Sequence, residues 1–470
     1  MKDPGRLVII GAGPTGLGAA FRLEENGFDR FLVVEAKGFP GGLATSYRDN
    51  QGFTWDVGGH VQFSHYSYYD DVLDLVMPGE WLSHNRSAWV WTSGCFIPYP
   101  FQYNLRYLPE HQRQKALEGL QSVADEMKRP RARNFAEWIE ATYGKGLAEI
   151  FLYPYNKKVW GYPLETLDSS WVGERVPPPD PERIRRSLAE GRDDDSWGPN
   201  SSFRFPQRGG TGAIWKAVAA TIHPSRLLLD TPVDSIDTQN KRLTLQNGSV
   251  LTYDHLITTI PLDVLCFRAQ GLESETKESA RQLISSACHI VGIGLRGPEP
   301  KDLDGKCWIY FPDANSPYYR VTVFSRYSPE NVPQGEEYWS LMAEVCESPF
   351  RPVDHKQIES QVITAMAEDG LITNANEVVS VWHRRESHGY PTPFLGRDQV
   401  LDGLLPALEK LSIFSRGRFG AWKYEVSNQD HSFMQGVELV DRLLGNGEEV
   451  TLNNPDLVNS GRFCTPKESS

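Results

Sequence analysis

A histidine that directly follows two glycines is the first candidate for chemistry in this sequence. The stretch TWDVGGHVQF contains Gly58, Gly59 and His60 in succession. Histidine is the side chain that most readily gains or loses a proton near neutral pH. Two adjacent glycines indicate that the backbone either passes close to a bound group or changes conformation. The stretch alone leaves both explanations open.

A glycine-rich turn near the N-terminus predicts a dinucleotide site. Gly11, Gly13 and Gly16 satisfy the pattern GxGxxG between a β-branched run at 7–10 and an amphipathic helix. In this motif the first glycine makes the tight turn and the second lets a pyrophosphate approach the backbone. The third lets the helix pack closely on the strand. A second predicted strand ends at Glu35, whose carboxylate can accept hydrogen bonds from a ribose.

A second pair of glycines favours FAD as the dinucleotide. Gly41 and Gly42 follow Glu35 in the stretch GFPGGLATSY. FAD enzymes of the glutathione-reductase and amine-oxidase kind carry a second phosphate-contacting loop in this place, and the sequence resembles them here. Taken alone, the stretch is also compatible with a surface turn.

Composition excludes several classes of protein. The chain has 470 residues, 40% of them hydrophobic, which is enough for two or three domains with substantial cores. A net charge of −13 argues against binding nucleic acid, so an anionic ligand needs local arginines. Six scattered cysteines without CxxC spacing predict reduced thiols, no metal site and a cytoplasmic location. No apolar run is long enough for a membrane span or a secretion signal.

The order of predicted elements indicates an α/β protein. We expect a Rossmann-like FAD-binding domain with an inserted helical domain and a β-sheet substrate domain. A C-terminal helix is predicted to begin near Gln429, with its dipole facing the cofactor. The predicted boundaries are 1–65 for the first part of the FAD-binding domain, 66–175 for a mainly helical substrate domain, 176–200 for a mobile connection without a core, 201–290 for the continued FAD-binding domain, 291–400 for a substrate-covering sheet region and 401–470 for the C-terminal part of the FAD-binding domain.

Long strings of the sequence resemble one enzyme family. In collinear order from about residue 6 to about residue 459, the chain resembles UDP-galactopyranose mutases of the eukaryotic type, most closely the fungal form. The strings that carry the resemblance are IGAGPTGLGAA, DVGGHVQFSHY, PYPFQYN, PYNKKVWGYP, GPNSSFRFPQRGGTG, YYRVTVFSRYSP, HRRESHGYPTP and GRFGAWKYEVSNQDHSFMQGVE.

The resemblance implies an FAD-dependent isomerase with no net redox change. The expected reaction interconverts the pyranose and furanose forms of a nucleotide sugar, with UDP-galactopyranose and UDP-galactofuranose as the first expectation. In that family N5 of the reduced flavin attacks the anomeric carbon, and the diphosphate leaves and later reattaches. NADPH or NADH is the expected reductant. The Gly58–His60 loop is then expected to lie over the flavin and to move when it is reduced.

The resemblance also assigns roles to individual residues. Arg175 and Arg320 match two arginines that clamp the diphosphate, for which a guanidinium offers a bidentate fork. His60 and Asn200 complete the expected catalytic set, and Arg86 and Arg418 match positions linked to nicotinamide docking. Expected substrate contacts are Tyr99, Phe101, Gln102, Asn156, Trp160, Tyr310, Tyr327, Tyr390, Tyr424 and Asn428. Expected cofactor contacts are Gly11, Gly13, Gly16, Glu35, Gly42, Gly59, Arg418, Gln429 and Ser432.

Departures from the family pattern keep alternatives open. Ser427 stands where the fungal form has glycine, which could alter sugar preference, and Ala88 replaces a serine, which leaves NADPH or NADH undecided. The chain lacks an insertion after the YSP string, so the oligomeric state stays open. The alternatives are the same chemistry on a GDP-hexose or a UDP-pentose, or an FAD amine oxidase or desaturase-type oxidoreductase.

Overall fold

The structure is a computed structural model that describes residues 2–125, 132–173, 178–194, 201–335 and 337–461. Among these residues, no helix has both the length and the apolar composition needed to cross a lipid bilayer.

The strands are short except for three in the second half of the chain. In chain order they are β1 Leu7–Ile10, β2 Phe31–Val34, β3 Ser46–Arg48, β4 Thr54–Asp56, β5 Trp81–Asn85, β6 Ala88–Thr92, β7 Cys95–Pro98, β8 Ser202–Pro206, β9 Leu227–Leu228, β10 Val233–Asp237, β11 Arg242–Leu245, β12 Val250–Thr252, β13 His255–Thr258, β14 Ala269–Gln270, β15 Ser285–Arg296, β16 Trp308–Tyr310, β17 Arg320–Val323, β18 Tyr338–Glu347, β19 Glu377–Pro391 and β20 Ile413–Ser415.

The helices alternate with the strands at both ends of the chain. They are α1 Pro14–Glu25, α2 Ser67–Val76, α3 Glu110–Asp125, α4 Phe135–Leu147, α5 Tyr153–Trp160, α6 Pro181–Glu190, α7 Gly212–Ala220, α8 Leu262–Arg268, α9 Ser274–Ala280, α10 Ile358–Glu368, α11 Arg397–Lys410, α12 Gln429–Leu444, α13 Val450–Asn453 and α14 Pro455–Asn459.

A parallel sheet forms the Rossmann-like part of the fold. Within the described residues its order is β20-β13-β1-β2-β9, and each neighbouring pair is parallel. Strand β1 lies in the middle and is fully buried, as its run of branched apolar residues predicts. The carboxyl ends of β1, β2 and β13 therefore meet at one edge, where ligands bind in folds of this class. This is the α/β class that the sequence predicted.

A larger sheet covers the site from the other side. Its order in the described part of the chain is β19-β15-β18-β17-β16-β6-β7, antiparallel except for the pair β16–β6. Strands β6 and β7 come from the segment expected to be mainly helical, and β15 begins before the boundary expected at 290. The domain boundaries themselves stay a prediction.

The connection at 176–200 contains a helix that the sequence analysis did not expect. Helix α6 is N-capped by Asp180, whose carboxylate accepts hydrogen bonds from the backbone N–H groups of Glu182 and Arg183. Ile184 of this helix is buried in a hydrophobic cluster that also contains Tyr143. The expectation that this segment carries no core is therefore wrong for α6, because one face of the helix is apolar enough to pack.

Two glycines let α1 and α12 lie unusually close together. A Cβ on Gly18 would come within 2.4 Å of the Phe433 carbonyl oxygen, and one on Gly436 within 2.1 Å of the Thr15 carbonyl oxygen. Only glycine fits at either position without a shift of the backbone. This close packing places the N-termini of both helices beside the same cavity.

Candidate functional site

One cavity of about 590 Å³ lies between the two sheets. At one end it is lined by the turn after β1 and by Glu35 at the end of β2. At the other end it is lined by side chains of the larger sheet, including Trp308, Arg320 and Tyr390. The start of α12 and the loop after β4 form the walls between these ends. The volume is in the range of ordinary ligand sites.

The three motif glycines differ in what surrounds them. Gly11 has a left-handed backbone with a φ of +99°, which makes the turn after β1. A Cβ on Gly16 would lie 1.9 Å from the Gly11 carbonyl oxygen, so this glycine lets α1 pack on the strand. A Cβ on Gly13 would meet nothing closer than Gly42, at 3.7 Å. A Cβ on Gly42 would lie 3.2 Å from the Gly13 Cα, so the backbones of these two residues lie close together. Together with Gly11 they line one end of the cavity without side chains, and we call this end the glycine groove.

The carboxylate of Glu35 is fixed at the end of β2. Its Oε2 accepts a hydrogen bond of 2.7 Å from the backbone N–H of Ala12, and its Oε1 accepts one of 2.9 Å from the backbone N–H of Lys37. Each carboxylate oxygen has a second lone pair. Glu35 can therefore hold its position and still accept hydrogen bonds from a ribose in the cavity.

The DVGGH loop makes a tight turn over the cavity. The His60 backbone N–H donates to the Gly58 carbonyl over 2.8 Å, which is the pattern of a three-residue turn. Gly58 has a φ of +105°, whereas φ of Gly59 lies outside the left-handed range. Of the two adjacent glycines, only Gly58 therefore needs a backbone conformation that other residues rarely adopt.

His60 is neutral at physiological pH. Burial lowers the pKa of His60 to about 4, and the positive charges of Arg418 and Arg320 act in the same direction against the opposing Glu344. Its Nδ1 is buried and has no hydrogen-bond partner among the described residues. A buried ring nitrogen without a partner is costly, so a ligand that supplies one would stabilise this arrangement.

Arg320 is held by a carboxylate that the sequence analysis did not identify. Its Nε donates to Glu344 Oε1 over 2.8 Å, and its Nη2 donates to Glu344 Oε2 over 2.6 Å. The guanidinium also stacks over Trp308, with its carbon 4.6 Å from the ring centroid. Within the described residues Nη1 has no hydrogen-bond partner. Arg320 thus keeps one edge available for an anion.

Arg86 and Arg418 also line the cavity. Arg86 stacks over Trp308 and donates from Nη2 to the Tyr310 hydroxyl over 3.2 Å. Arg418 donates from Nη1 to the Ser427 hydroxyl over 3.0 Å. The hydroxyl that replaces the fungal glycine at Ser427 is therefore committed to an arginine and, as a donor, to the Tyr424 carbonyl.

The start of α12 brings three expected residues together. Asn428 occupies the N-cap position, and Gln429 begins the helix as predicted. Gln429 Oε1 accepts a hydrogen bond from the Trp215 indole, while Ser432 faces the cavity one turn later. The N-terminus of a helix carries the positive end of the helix dipole, so this part of the cavity wall favours a negatively charged group nearby.

The expected substrate residues divide into two groups. Tyr390 and Tyr424 line the cavity, and their rings lie 5.9 Å apart. Tyr327 is fully buried, and its hydroxyl has no hydrogen-bond partner in the described part of the chain. The remaining members lie behind the wall or beside it, and their predicted roles stay predictions: Tyr99, Phe101, Gln102, Asn156, Trp160 and Tyr310.

Four of these six residues pack against aromatic rings, and Tyr99 and Tyr310 do so with each other. The Phe101 ring stacks on Phe151 at 4.6 Å, and Trp160 contacts Tyr424 at 4.8 Å. Asn156 donates its side-chain amide to the Leu152 carbonyl. Arg175 and Asn200 lie outside the described residues.

Glu344 is the main functional residue that sequence reasoning missed. It lies in the middle of β18, a run whose neighbours on both sides are buried. Charged residues are rarely buried without a partner, so a lone glutamate in such a strand was a usable signal. Its partner Arg320 is on the adjacent strand β17, directly opposite in register.

The cavity fits a dinucleotide such as FAD. The glycine groove, where Gly11, Gly13 and Gly42 line the cavity without side chains, could take a pyrophosphate, and the N-terminus of α1 lies beside it. Glu35 lies where a ribose would bind, and the unpaired Nδ1 of His60 is near the opposite end. These features match an elongated ligand whose pyrophosphate lies between its two ends.

Known proteins resemble this chain over its whole length. A family model described as flavin containing amine oxidoreductase matches residues 14–414. A crystal structure of reduced UDP-galactopyranose mutase is 46% identical, with a TM-score of 0.95 and coverage of 98% of each chain. A putative protoporphyrinogen oxidase from Exiguobacterium sp. 255-15 is 15% identical, with a TM-score of 0.72 and coverage of 95% of this chain and 100% of that one. A putrescine oxidase variant is 13% identical, with a TM-score of 0.63 and coverage of 94% and 99%. The last two show the fold alone.

Proposed function

The chain belongs to the UDP-galactopyranose mutase family within the flavin-containing amine oxidoreductases, and from this we propose that it interconverts UDP-galactopyranose and UDP-galactofuranose with FAD as cofactor. The observation that carries the proposal is the shape of the site. A single cavity joins the glycine groove of a dinucleotide site to a cationic end lined by Arg86, Arg320 and Arg418. An oxidase that acts on a neutral or cationic substrate has no need of that cationic end.

The residues of the cationic end would bind the diphosphate. Arg320 offers its free Nη1 edge, and we assign Arg175 as the second clamp from the sequence resemblance. The Tyr390 and Tyr424 rings line the space beside Arg320 and would contact the sugar or the phosphates. Cations placed in advance stabilise the negative charge that develops on a leaving diphosphate.

The other residues would orient the reacting groups. When bound and reduced, FAD would supply a nucleophilic nitrogen that forms a covalent bond to the anomeric carbon. His60 stays neutral, so it can accept or donate one hydrogen bond without adding charge to the site. Tyr424 at the cavity wall is backed by Trp160, whose ring meets it edge to face, and this aromatic packing would help exclude water.

The proposal also covers the type of mutase, the reductant and the cellular location. The collinear strings favour the eukaryotic, fungal-like type, and Arg86 and Arg418 at the cavity wall are compatible with reduction by NADPH or NADH. We propose a cytoplasmic location on the basis of the unpaired cysteines.

A panel of substrates tests the proposal. Dithionite-reduced enzyme should convert UDP-galactopyranose to a furanose product, detected by chromatography, and should act more slowly on a GDP-hexose or a UDP-pentose. If the enzyme converts a GDP-hexose or a UDP-pentose faster than UDP-galactopyranose, that nucleotide sugar is its substrate instead. Steady hydrogen peroxide production with an amine, and no furanose product, would favour the oxidase alternative.

A further inference from the structure

We propose that Glu344 is a positioning residue that acts as the built-in counter-ion of Arg320 and competes with the substrate diphosphate for its charge. This inference rests on the proposed function, because it concerns the anion that the site binds. It gives Glu344 two effects. It fixes the orientation of the guanidinium, and it weakens the binding of the diphosphate.

The geometry of the pair shows how Glu344 orients Arg320. The carboxylate takes the Nε and Nη2 edge of the guanidinium and leaves Nη1 unpaired. Trp308 covers one face of the same group. A guanidinium held along one edge and one face has its remaining edge aimed in one direction, which is what bidentate recognition of phosphate requires.

Glu344 also accepts hydrogen bonds from the DVGGH loop and from Tyr319. Its Oε1 accepts a hydrogen bond of 2.9 Å from the Gly59 backbone N–H, and its Oε2 accepts one of 2.6 Å from the Tyr319 hydroxyl. The carboxylate therefore links Arg320 to the DVGGH loop directly. Within the described residues every hydrogen-bond partner of the Glu344 carboxylate is a donor, so the site is built for an acceptor with negative charge.

Glu344 is ionised at neutral pH. Burial would raise the pKa of its carboxyl, but the charge of Arg320 and the hydrogen bonds from Tyr319, Arg320 and Gly59 lower it below its ordinary value. The charge of Arg320 is therefore balanced before any ligand binds. A diphosphate that approaches the free edge meets both the guanidinium and the negative charge behind it, so part of the attraction is cancelled.

Glu344→Gln separates orientation from charge. Glutamine keeps an oxygen for Arg320 and the Gly59 N–H, and its amide nitrogen can donate to the Tyr319 oxygen. Tyr319 can then turn its own hydroxyl hydrogen towards the Tyr390 hydroxyl, 3.4 Å away. The amide nitrogen then faces Arg320 Nη2, so the contact of Nη2 with the former Oε2 is lost, but Arg320 Nε and Nη2 both still reach the retained oxygen. The substitution thus keeps the main support of the guanidinium and removes the negative charge.

We expect oxidised Glu344→Gln holoenzyme to bind UDP roughly tenfold more tightly than wild type, measured by titration of protein fluorescence. Glu344→Ala should bind UDP more weakly than wild type, because the guanidinium loses its support. The matched control is Glu347→Gln. Glu347 lies on the same strand as Glu344, but it pairs with Arg385 and does not line the cavity. It should leave UDP affinity unchanged.

A double-mutant cycle distinguishes a counter-ion from a merely structural residue. In an Arg320→Ala background, Glu344→Gln should no longer tighten UDP binding, because its effect acts through Arg320. Unchanged or weaker UDP binding by Glu344→Gln with normal FAD content would overturn the inference, as would a gain that persists without Arg320. Failure of the wild type to bind any UDP nucleotide would instead overturn the proposed function on which it rests.

Discussion

Arg320 carries a positive charge in a site that is largely closed to water, and its side chain is only 15% exposed. Such a charge needs partners, and Glu344 and Trp308 supply them. The sequence could identify Arg320 because the string YYRV matches a family motif. It could not identify the pairing with Glu344, because the two residues are on different strands and only the register of β17 against β18 joins them.

Replacement of Arg320 tests its role as a phosphate clamp. Arg320→Ala should lower kcat/KM for UDP-galactopyranose by on the order of a hundredfold, because a charge-assisted contact to a leaving diphosphate is lost in a dry site. FAD content, measured by flavin absorbance, should stay near normal, since Arg320 lies at the opposite end of the cavity from the glycine groove. Arg175→Ala should behave in the same way.

The control for this experiment is Arg385→Ala, which also removes an arginine paired with a glutamate on the larger sheet. It should keep most of the activity. Wild-type efficiency in Arg320→Ala would show that this residue does not clamp the phosphate.

Asp56 makes stability depend on pH. It is the fully buried first residue of the DVGGH loop, and burial raises its pKa to about 7. A carboxyl with a higher pKa in the folded state binds its proton more tightly when folded. It therefore stabilises the fold below its unfolded pKa of about 4, and this contribution is lost as the pH rises through about 7.

We expect the melting temperature of wild type to fall more steeply between pH 5 and pH 8 than that of Asp56→Asn. Differential scanning calorimetry of both proteins across this interval measures the difference. Parallel pH profiles for the two would contradict the raised pKa. Asp29→Asn is a suitable control, because Asp29 is exposed.

At the scale of elements, the DVGGH turn and the packing of α1 on α12 decide where the chemical groups lie. The motif GxGxxG predicted the turn after β1 and the start of α1, because its glycines permit a left-handed backbone at Gly11 and close packing at Gly16. The glycine contact between α1 and α12 was not predictable in the same way. Gly18 and Gly436 are far apart in sequence, and each alone reads as an ordinary helix glycine.

Two substitutions separate conformational freedom from space in the DVGGH turn. The Cβ of Gly58→Ala would meet no atom closer than 3.6 Å, so any loss of stability comes only from the strain of an alanine at a φ of +105°. Gly59→Ala has no such strain, but its Cβ would lie 3.0 Å from Thr322 Oγ1. If the turn moves when the cofactor is reduced, Gly58→Ala should fold and retain FAD but turn over roughly tenfold more slowly.

Flavin absorbance, thermal melting and the rate of reduced enzyme decide the outcome for both variants. Loss of FAD from Gly58→Ala would show that the glycine serves close packing against the cofactor. Full activity of Gly58→Ala would remove the conformational explanation altogether. Gly59→Ala serves as the steric comparison within the same loop.

At the scale of the whole molecule, the sequence predicted the α/β class and the Rossmann-like sheet, since both follow from local strand, turn and helix patterns. It did not predict that β6 pairs with β16, which joins the N-terminal half of the chain to the larger sheet. Such long-range pairing has no local signal. Helix α6 was missed for a related reason, because its prolines and charges resemble those of a loop and its apolar face is short.

The proposed reaction requires that this fold use a reduced flavin to rearrange a sugar without consuming electrons. The glycine groove accounts for a dinucleotide, and the cationic end accounts for a diphosphate, but many flavoproteins with this fold carry out net oxidation. The separation of isomerisation from oxidation therefore requires a measurement on the intact holoenzyme.

That measurement is the turnover of UDP-galactopyranose by fully oxidised and fully reduced enzyme, without oxygen, with the flavin spectrum recorded throughout. We expect purified protein to be yellow with noncovalently bound FAD, to be inactive when oxidised, and to form many equivalents of UDP-galactofuranose after a single reduction. The flavin should remain reduced from the first turnover to the last. Sustained turnover by oxidised enzyme without a reductant, or one flavin reoxidised for each product formed, would contradict the account.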